Sequence, residues 1–174
     1  MALRFEQLIE RHHDEIYAYI WRLMGNDGRR DGATDVEDIV QEVFLRAYES
    51  FEGLRPNSNH RAWLYKIATN CVYTQLRRMK NQRDKLSSLK HSSPEPETAS
   101  EVSSLHKHME QTVRMLVNEL PTKQKACVTL RYLQDLDYPE IAQILSCSQE
   151  SARANVYQAI HRLRIAMEKK HDHA

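Results

Sequence analysis

His12, His13, Asp14 and Glu15 form the densest run of metal-ligating and acid–base side chains in the chain, and His171 with His173 makes a second pair near its end. A metal or proton-transfer site needs such groups to converge. Successive helical residues point about 100° apart, so HHDE fans around its cylinder, whereas an HExxH array places two histidines one turn apart on one face. These histidines are therefore expected at the surface or partly in a core, with no metal bound. Cys71, Cys127 and Cys147 are odd in number, widely spaced and without a CxxC pair, which suggests neither a disulfide framework nor a zinc site and points to a reducing cytoplasm. Cys71 falls in an apolar helical pattern and reads as an inert buried thiol. No Gly-rich phosphate cradle, nucleophile motif or spaced carboxylate set is present, so neither enzymatic activity nor a cofactor is expected.

The chemistry that remains is that of binding. In TDVEDIVQEVFLRAYESF, Asp35, Glu37, Asp38, Gln41, Glu42 and Glu49 lie mostly away from the apolar stripe, and from Asp35 to Glu52 six acids stand against one base, Arg46, for a net −5. From Arg61 to Lys90 eight bases stand against one acid, Asp84, for a net +7. The whole chain carries only +1, which argues against indiscriminate attraction to nucleic acid. Neighbouring blocks of opposite sign imply either two partners of opposite character or one intramolecular salt-bridge system. A charged helix face taken alone most often does no more than solvate, so the acidic face takes a role only from the rest of the chain.

Helices have to hold these faces. With Gly at 4, Pro at 5 and apolar residues at 41%, small helical bundles suit the chain better than a large sheet core. Phe5, Leu8, Ile9, Ile16, Tyr19, Ile20 and Leu23 mark a first helix that Gly25 can end in a left-handed cap. Thr34 with Glu37 is a capping box for the second, whose Val36, Ile39, Val40, Val43, Phe44 and Ala47 face a core. After the loop FEGLRPNSNH comes a third helix, with Trp63 or Leu64, Ile67, Cys71 and Leu76 inward. The stretch SSLKHSSPEPETASEVSS has no apolar period and reads as a flexible linker and domain boundary.

Apolar spacing resumes at Leu105, Met109, Val113, Leu116 and Leu120, and Pro121 opens the helix TKQKACVTLRYL. Then DYPEIAQIL and SQESARANVYQAIHRLRIAMEKK follow, joined by SCS. Asp137 and Ser148 are their caps. Ala142 allows a close crossing, Ile141, Leu145, Val156 and Leu163 close a core, and Ser146 sits where the turn favours a glycine at positive φ. This is a helix-turn-helix pattern, whose second helix can enter a DNA major groove. Helical hairpins of this spacing also occur in proteins that never meet DNA. The expected fold is all-α: a helical bundle over 1–85, a flexible linker over 86–104 and a helix-turn-helix domain over 105–170. The amino terminus lacks a signal-peptide core and no run reaches transmembrane length, so no membrane insertion is expected.

Taken in order, DVEDIVQEVFLRAYESF, WLYKIATN and RR, a Ser/Pro linker, LPTKQKACVTLRYLQDLDYPEIAQIL and a basic final helix resemble an extracytoplasmic-function (group IV) RNA polymerase sigma factor of the sigma-70 superfamily. The resemblance covers nearly the whole chain. It implies a sigma region 2 bundle and a sigma region 4 helix-turn-helix in a transcription initiation factor of the bacterial cytoplasm. Such a factor binds core RNA polymerase, directs it to promoters and assists melting. In similar factors the DxxQE portion of region 2 docks on the β′ clamp helices, which maps to Asp38, Gln41 and Glu42, with Leu45 as an apolar contact. The β flap is the second implied polymerase contact.

The same resemblance assigns promoter DNA to the rest. Lys66, Arg77, Arg78, Lys80 and Arg83 would track phosphates. Trp63 and Asn70 match positions beside the −10 element, where a base is drawn from the stack, although an aromatic at Trp63's spacing reads equally well as core. The loop from Gly53 to His60 resembles the family's specificity loop. Arg153, Asn155, Tyr157, Gln158 and Arg162 are the candidates for the −35 element, on a helix that departs from the commoner TVRSRxxRAR pattern at Ala154, Asn155, Gln158 and Ile160. An anti-sigma protein covering regions 2 and 4 is the further implied partner. A helix-turn-helix regulator that does not replace sigma is the competing reading; it explains the last two helices but gives no role to the acidic second helix and its basic successor.

Overall fold

The computed structural model describes residues 4–25, 33–55, 58–87 and 105–171, and among these it is all-helical. The elements are α1 (Phe5–Met24), α2 (Ala33–Phe51), α3 (His60–Ser87), α4 (Leu105–Asn118), α5 (Thr122–Val128), a wide turn over Thr129–Leu133, α6 (Tyr138–Leu145) and α7 (Gln149–His171). The first two residues of the expected 86–104 linker, Leu86 and Ser87, instead continue α3; from residue 88 onward that linker lies outside the described residues, as do the 26–32 loop, Pro56, His173 and the Thr34 side chain.

The apolar stripes of the first three helices leave one arrangement in which all are covered. Leu8, Ile16, Ile20 and Leu23 of α1 meet Val40, Val43 and Ala47 of α2 and Leu64, Ala68 and Val72 of α3, all buried. Within that core the Thr69 hydroxyl donates to the Tyr65 carbonyl at 2.7 Å and takes the Tyr19 hydroxyl proton at 2.8 Å, so these two buried hydroxyls are satisfied. Asn59 caps α3, its side-chain oxygen accepting the Ala62 N–H at 3.0 Å. Gly25 ends α1 as expected, but at φ 57 and ψ −137, outside the left-handed helical region and in one open to glycine. A Cβ there would also lie 3.0 Å from Asn118 Oδ1. The second half of the chain comes that close.

TKQKACVTLRYL departs from the single helix expected of it. The Gln134 N–H bonds the Thr129 carbonyl at 3.1 Å and the Leu136 N–H bonds the Leu130 carbonyl at 3.0 Å, so the last turn is wider than an α-helix, and Asp135 reverses the chain at φ 52. The helix-turn-helix follows its sequence signals. Asp137 and Glu140 form a reciprocal capping box, at 2.9 and 3.1 Å, and Ser148 Oγ accepts the Ser151 N–H at 3.1 Å. Ser146 takes φ 51, ψ 50, the conformation that favours glycine.

Separate cores were expected for the two halves. Instead one buried cluster runs from Leu8 through Val72 into Leu130, Leu136, Ile141, Ile144 and Val156, because α6 lies along α3 and α5 meets α1. Leu120, Val128 and Ala159 form a smaller second cluster. An eight-residue helix carrying Ile141, Ile144 and Leu145 has apolar surface on more than one side, and α3 covers what α5 and α7 leave.

Candidate functional site

The helical period places Asp38, Gln41, Glu42 and Leu45 on one face of α2, and all four are exposed, Leu45 by 59%. Tyr48, 65% exposed one step further along, extends this face; its three-residue spacing from Leu45 was the signal for it. Glu42 accepts from Arg46 Nε at 2.6 Å, and that hydrogen bond raises the Arg46 pKa above its ordinary value. So exposed a pair adds little to stability. A groove of about 460 Å³ separates α2 from α3, lined by Asp38, Glu42, Arg46, Cys71 and Arg78. Burial pushes the Cys71 thiol pKa up, in line with an inert thiol.

Along α3, Trp63, Lys66, Asn70, Arg77 and Lys80 recur at three-, four- and seven-residue steps and make one stripe. Lys66, Asn70, Arg77 and Lys80 are exposed. Trp63 is half-buried and packs against the core. Arg78 does not join the stripe. It lies about 100° around the helix, in the groove beside Asp38 and Glu42. At the far end of the stripe, Arg77, Lys80 and Arg83 line a cleft of about 570 Å³ together with Tyr73, Thr122 and Lys123. Lys123 comes from the other half of the chain, a juxtaposition that spacing along the sequence gives no hint of. Burial pushes the Tyr73 phenol pKa up to about 12.

The recognition-type helix α7 exposes Arg153, Tyr157, Gln158 and Arg162, with Asn155 half-buried. Its own domain holds three of these five. The Arg153 guanidinium sits 5.1 Å from the centroid of the Tyr138 ring, Asn155 donates to the Ser151 carbonyl at 2.8 Å, and Gln158 accepts from Gln124 at 3.0 Å. Arg131 lies 5.2 Å from the same Tyr138 ring. Tyr157, 73% exposed, stacks on His161 with centroids 6.4 Å apart and planes 2° from parallel. His161 was missed in the sequence, although it lies one turn from Tyr157.

A polar knot between the halves was also missed. Arg61 makes a forked pair with Glu15, at 2.9 and 3.0 Å to Oε2, and donates to the Gln134 carbonyl at 3.0 Å. Tyr65 OH lies 3.0 Å from Glu15 Oε2 and 2.7 Å from the Gln134 side-chain amide. Burial would raise the Glu15 pKa, but hydrogen bonds from Arg61, His12 and Tyr65 together hold it below its ordinary value. The His12 Nδ1 contact to Glu15, at 2.5 Å, is what the HHDE run does. Among the described residues no group of three or more His, Cys, Asp or Glu side chains converges to hold a metal, and no helix is long and apolar enough to cross a membrane.

Two family models match in this order: Sigma-70 region 2 over residues 8–82 and Sigma-70, region 4 over residues 110–163. Among curated relatives, the ECF RNA polymerase sigma-E factor of Haemophilus influenzae is 28% identical, across 89% of this chain and 82% of its own length. The ECF RNA polymerase sigma factor SigW of Bacillus subtilis is also 28% identical, across 92% and 87%. Two solved structures share the fold. One is the sigma factor RpoE of Bartonella quintana in complex with the anti-sigma factor NepR, with a TM-score of 0.73 and 22% identity over 94% of this chain and 96% of that one. The other is CnrH in complex with the cytosolic domain of CnrY, with a TM-score of 0.65 and 19% identity over 95% and 88%.

Proposed function

We infer that this chain, which matches Sigma-70 region 2 and region 4 in order, is an RNA polymerase sigma factor of the extracytoplasmic-function type whose surfaces divide the work. The α2 face of Asp38, Gln41, Glu42 and Leu45 docks on the β′ clamp helices: its carboxylates pair with basic groups there, Gln41 donates and accepts, and Leu45 with Tyr48 supplies apolar contact. The α3 stripe takes promoter DNA, with Lys66, Arg77 and Lys80 on phosphates and Trp63 and Asn70 at a base drawn from the −10 element. Arg78, off that stripe, serves the groove beside α2. The exposed face of α7, through Arg153, Tyr157, Gln158 and Arg162 with Asn155 at its edge, takes the −35 element, and region 4 meets the β flap.

The observation that carries this reading is the pairing of opposite faces on adjacent helices. One small bundle presents carboxylates on α2 and cations on α3, which suits a protein that bridges a large enzyme and a nucleic acid without covalent chemistry of its own. A group IV placement, a bacterial cytoplasmic location and an anti-sigma partner spanning both regions belong to the same proposal; the fold shared with sigma factors solved alongside such partners supports the last. The test is run-off transcription from purified core polymerase with this chain as the sole added factor, on a promoter library. Specific start sites are expected. If the folded chain gives none, and fails to associate with core polymerase at low salt, the proposal is wrong.

A further inference from the structure

The cleft of about 570 Å³ between α3 and α5 has a chemistry that the surfaces assigned above leave unused. Arg77, Lys80 and Arg83 line it from α3, and Lys123 lines it from α5. Arg77, Lys80 and Lys123 meet no carboxylate among the described residues, and no described residue of the lining carries one. Cations brought to one recess from two helices repel one another, and an anion held between them removes that repulsion. Beside the cations the wall turns apolar. Tyr73 and Leu76 lie half-buried there, and because the Tyr73 hydroxyl is itself buried, it is the ring that faces the cleft. Burial pushes the phenol pKa up to about 12, so Tyr73 stays neutral and sets no negative charge against an anion. Thr122 adds a hydroxyl.

We propose that this cleft is a binding site for a nucleoside polyphosphate, with the phosphates held between Arg77, Lys80 and Lys123 and the base laid against Tyr73 and Leu76. The volume falls in the range of roughly 300–1,000 Å³ usual for small-ligand pockets, and a few convergent polar groups on an apolar wall is their usual composition. A continuous nucleic-acid strand is the competing occupant. A strand that follows α3 needs cations along that helix alone, and the exposed stripe provides them. Lys123 faces the same recess from another helix, and charges converging from two sides suit a compact polyanion better than a passing backbone. Occupancy engages two of the cations that α3 offers to promoter phosphates, so bound nucleotide should weaken DNA binding by region 2. That competition rests on the role proposed for the α3 stripe; the binding itself does not.

The test is calorimetric titration of the full chain with ATP, beside inorganic tripolyphosphate, which carries the charge without the base. ATP should bind saturably, one molecule per chain, and several-fold more tightly than tripolyphosphate. Lys123→Glu, at an exposed position outside the α3 stripe, should weaken ATP binding roughly tenfold or more. Lys66→Ala should leave it unchanged, because Lys66 lies on the stripe about 16 Å along the helix from Arg77, beyond the reach of unscreened charge at physiological salt. Absence of saturable ATP binding overturns the site. Equal losses in the two variants overturn it as well, since a diffuse basic surface responds to either charge. Tripolyphosphate bound as tightly as ATP overturns the nucleoside and the role given to Tyr73 and Leu76; that comparison is made on the wild type and stands even if a variant misfolds. A second arm measures affinity for a single-stranded −10 oligonucleotide with and without saturating ATP, and a several-fold loss is expected. ATP that binds through Lys123 yet leaves DNA affinity unchanged overturns the competition, and the failure then lies in the phosphate-tracking role of Arg77 and Lys80.

Discussion

On α2, Asp38, Gln41 and Leu45 stand in solvent on a helix whose opposite face is locked into the bundle. On α7, Arg153 lies over Tyr138, Asn155 bonds its own backbone and Gln158 bonds Gln124. A partner of region 2 therefore finds side chains already presented, whereas a partner of the recognition helix first competes with contacts inside region 4. Binding energy follows from that difference. Each internal contact surrendered on association is subtracted from what the new one contributes, so equal numbers of contacts should yield less on the region 4 side.

The largest effect should come from the presented face. Gln41→Ala with Glu42→Lys reverses one charge and removes a two-way hydrogen-bonding group at the centre of the α2 surface, and should weaken core polymerase binding by about 100-fold. Binding of −35 duplex by region 4 should stay as it was. Fluorescence titration with core enzyme measures the first and a mobility-shift titration the second; unchanged core affinity breaks the comparison at its stronger end. Next in size is Trp63→Ala: if Trp63 is the proposed stacking platform, a contact of the kind that contributes roughly 1–3 kcal/mol per base, the loss should be read on single-stranded −10 DNA. The matching change on α7, Arg153→Ala, should cost −35 binding less than tenfold, because part of what it removes is the internal stack on Tyr138. A larger loss there than for Trp63→Ala would reverse the comparison.

Local signals in the sequence marked the helices, the Asp137 and Ser148 caps, the strained Ser146 and the faces of α2 and α7, because spacing of three and four residues decides them. What it withheld depends on residues far apart in the chain. Glu15 reads as one member of an acidic run until Arg61 and Tyr65, 46 and 50 residues away, close on it. Arg61 counts toward a basic block, yet its charge is spent inside the protein. Arg78 is adjacent to Arg77, but a step of about 100° sends it to another face. The wide turn after Val128 carries no motif at all; its purpose is visible only once Gln134 is seen against α3.

A smaller effect tests region 4 as a scaffold. Ser146 holds φ 51 at the helix-turn-helix corner, and Ser146→Gly should relieve up to about 1 kcal/mol of backbone strain. For a chain of this size that raises the melting temperature by about 2–4 °C, with promoter selectivity unchanged. No rise in the melting temperature would mean that the corner is held without strain.

The smallest effect lies at the seam, where acid should undo what the two halves share. Hydrogen bonds from Arg61, His12 and Tyr65 hold the Glu15 pKa below its ordinary value against the opposing pull of burial. Its stabilisation is therefore complete above the unfolded carboxylate's pKa and is lost as pH falls through the lower, folded one. Glu15→Gln keeps the shape and removes the titration. At neutral pH the wild type should melt above this variant, and the gap should close as pH is lowered below the ordinary carboxylate range, while Arg61 keeps its charge throughout. A gap that stays constant across that range would show that Glu15 contributes through packing alone, and the knot joining α1, α3 and the wide turn would then owe its hold to apolar burial.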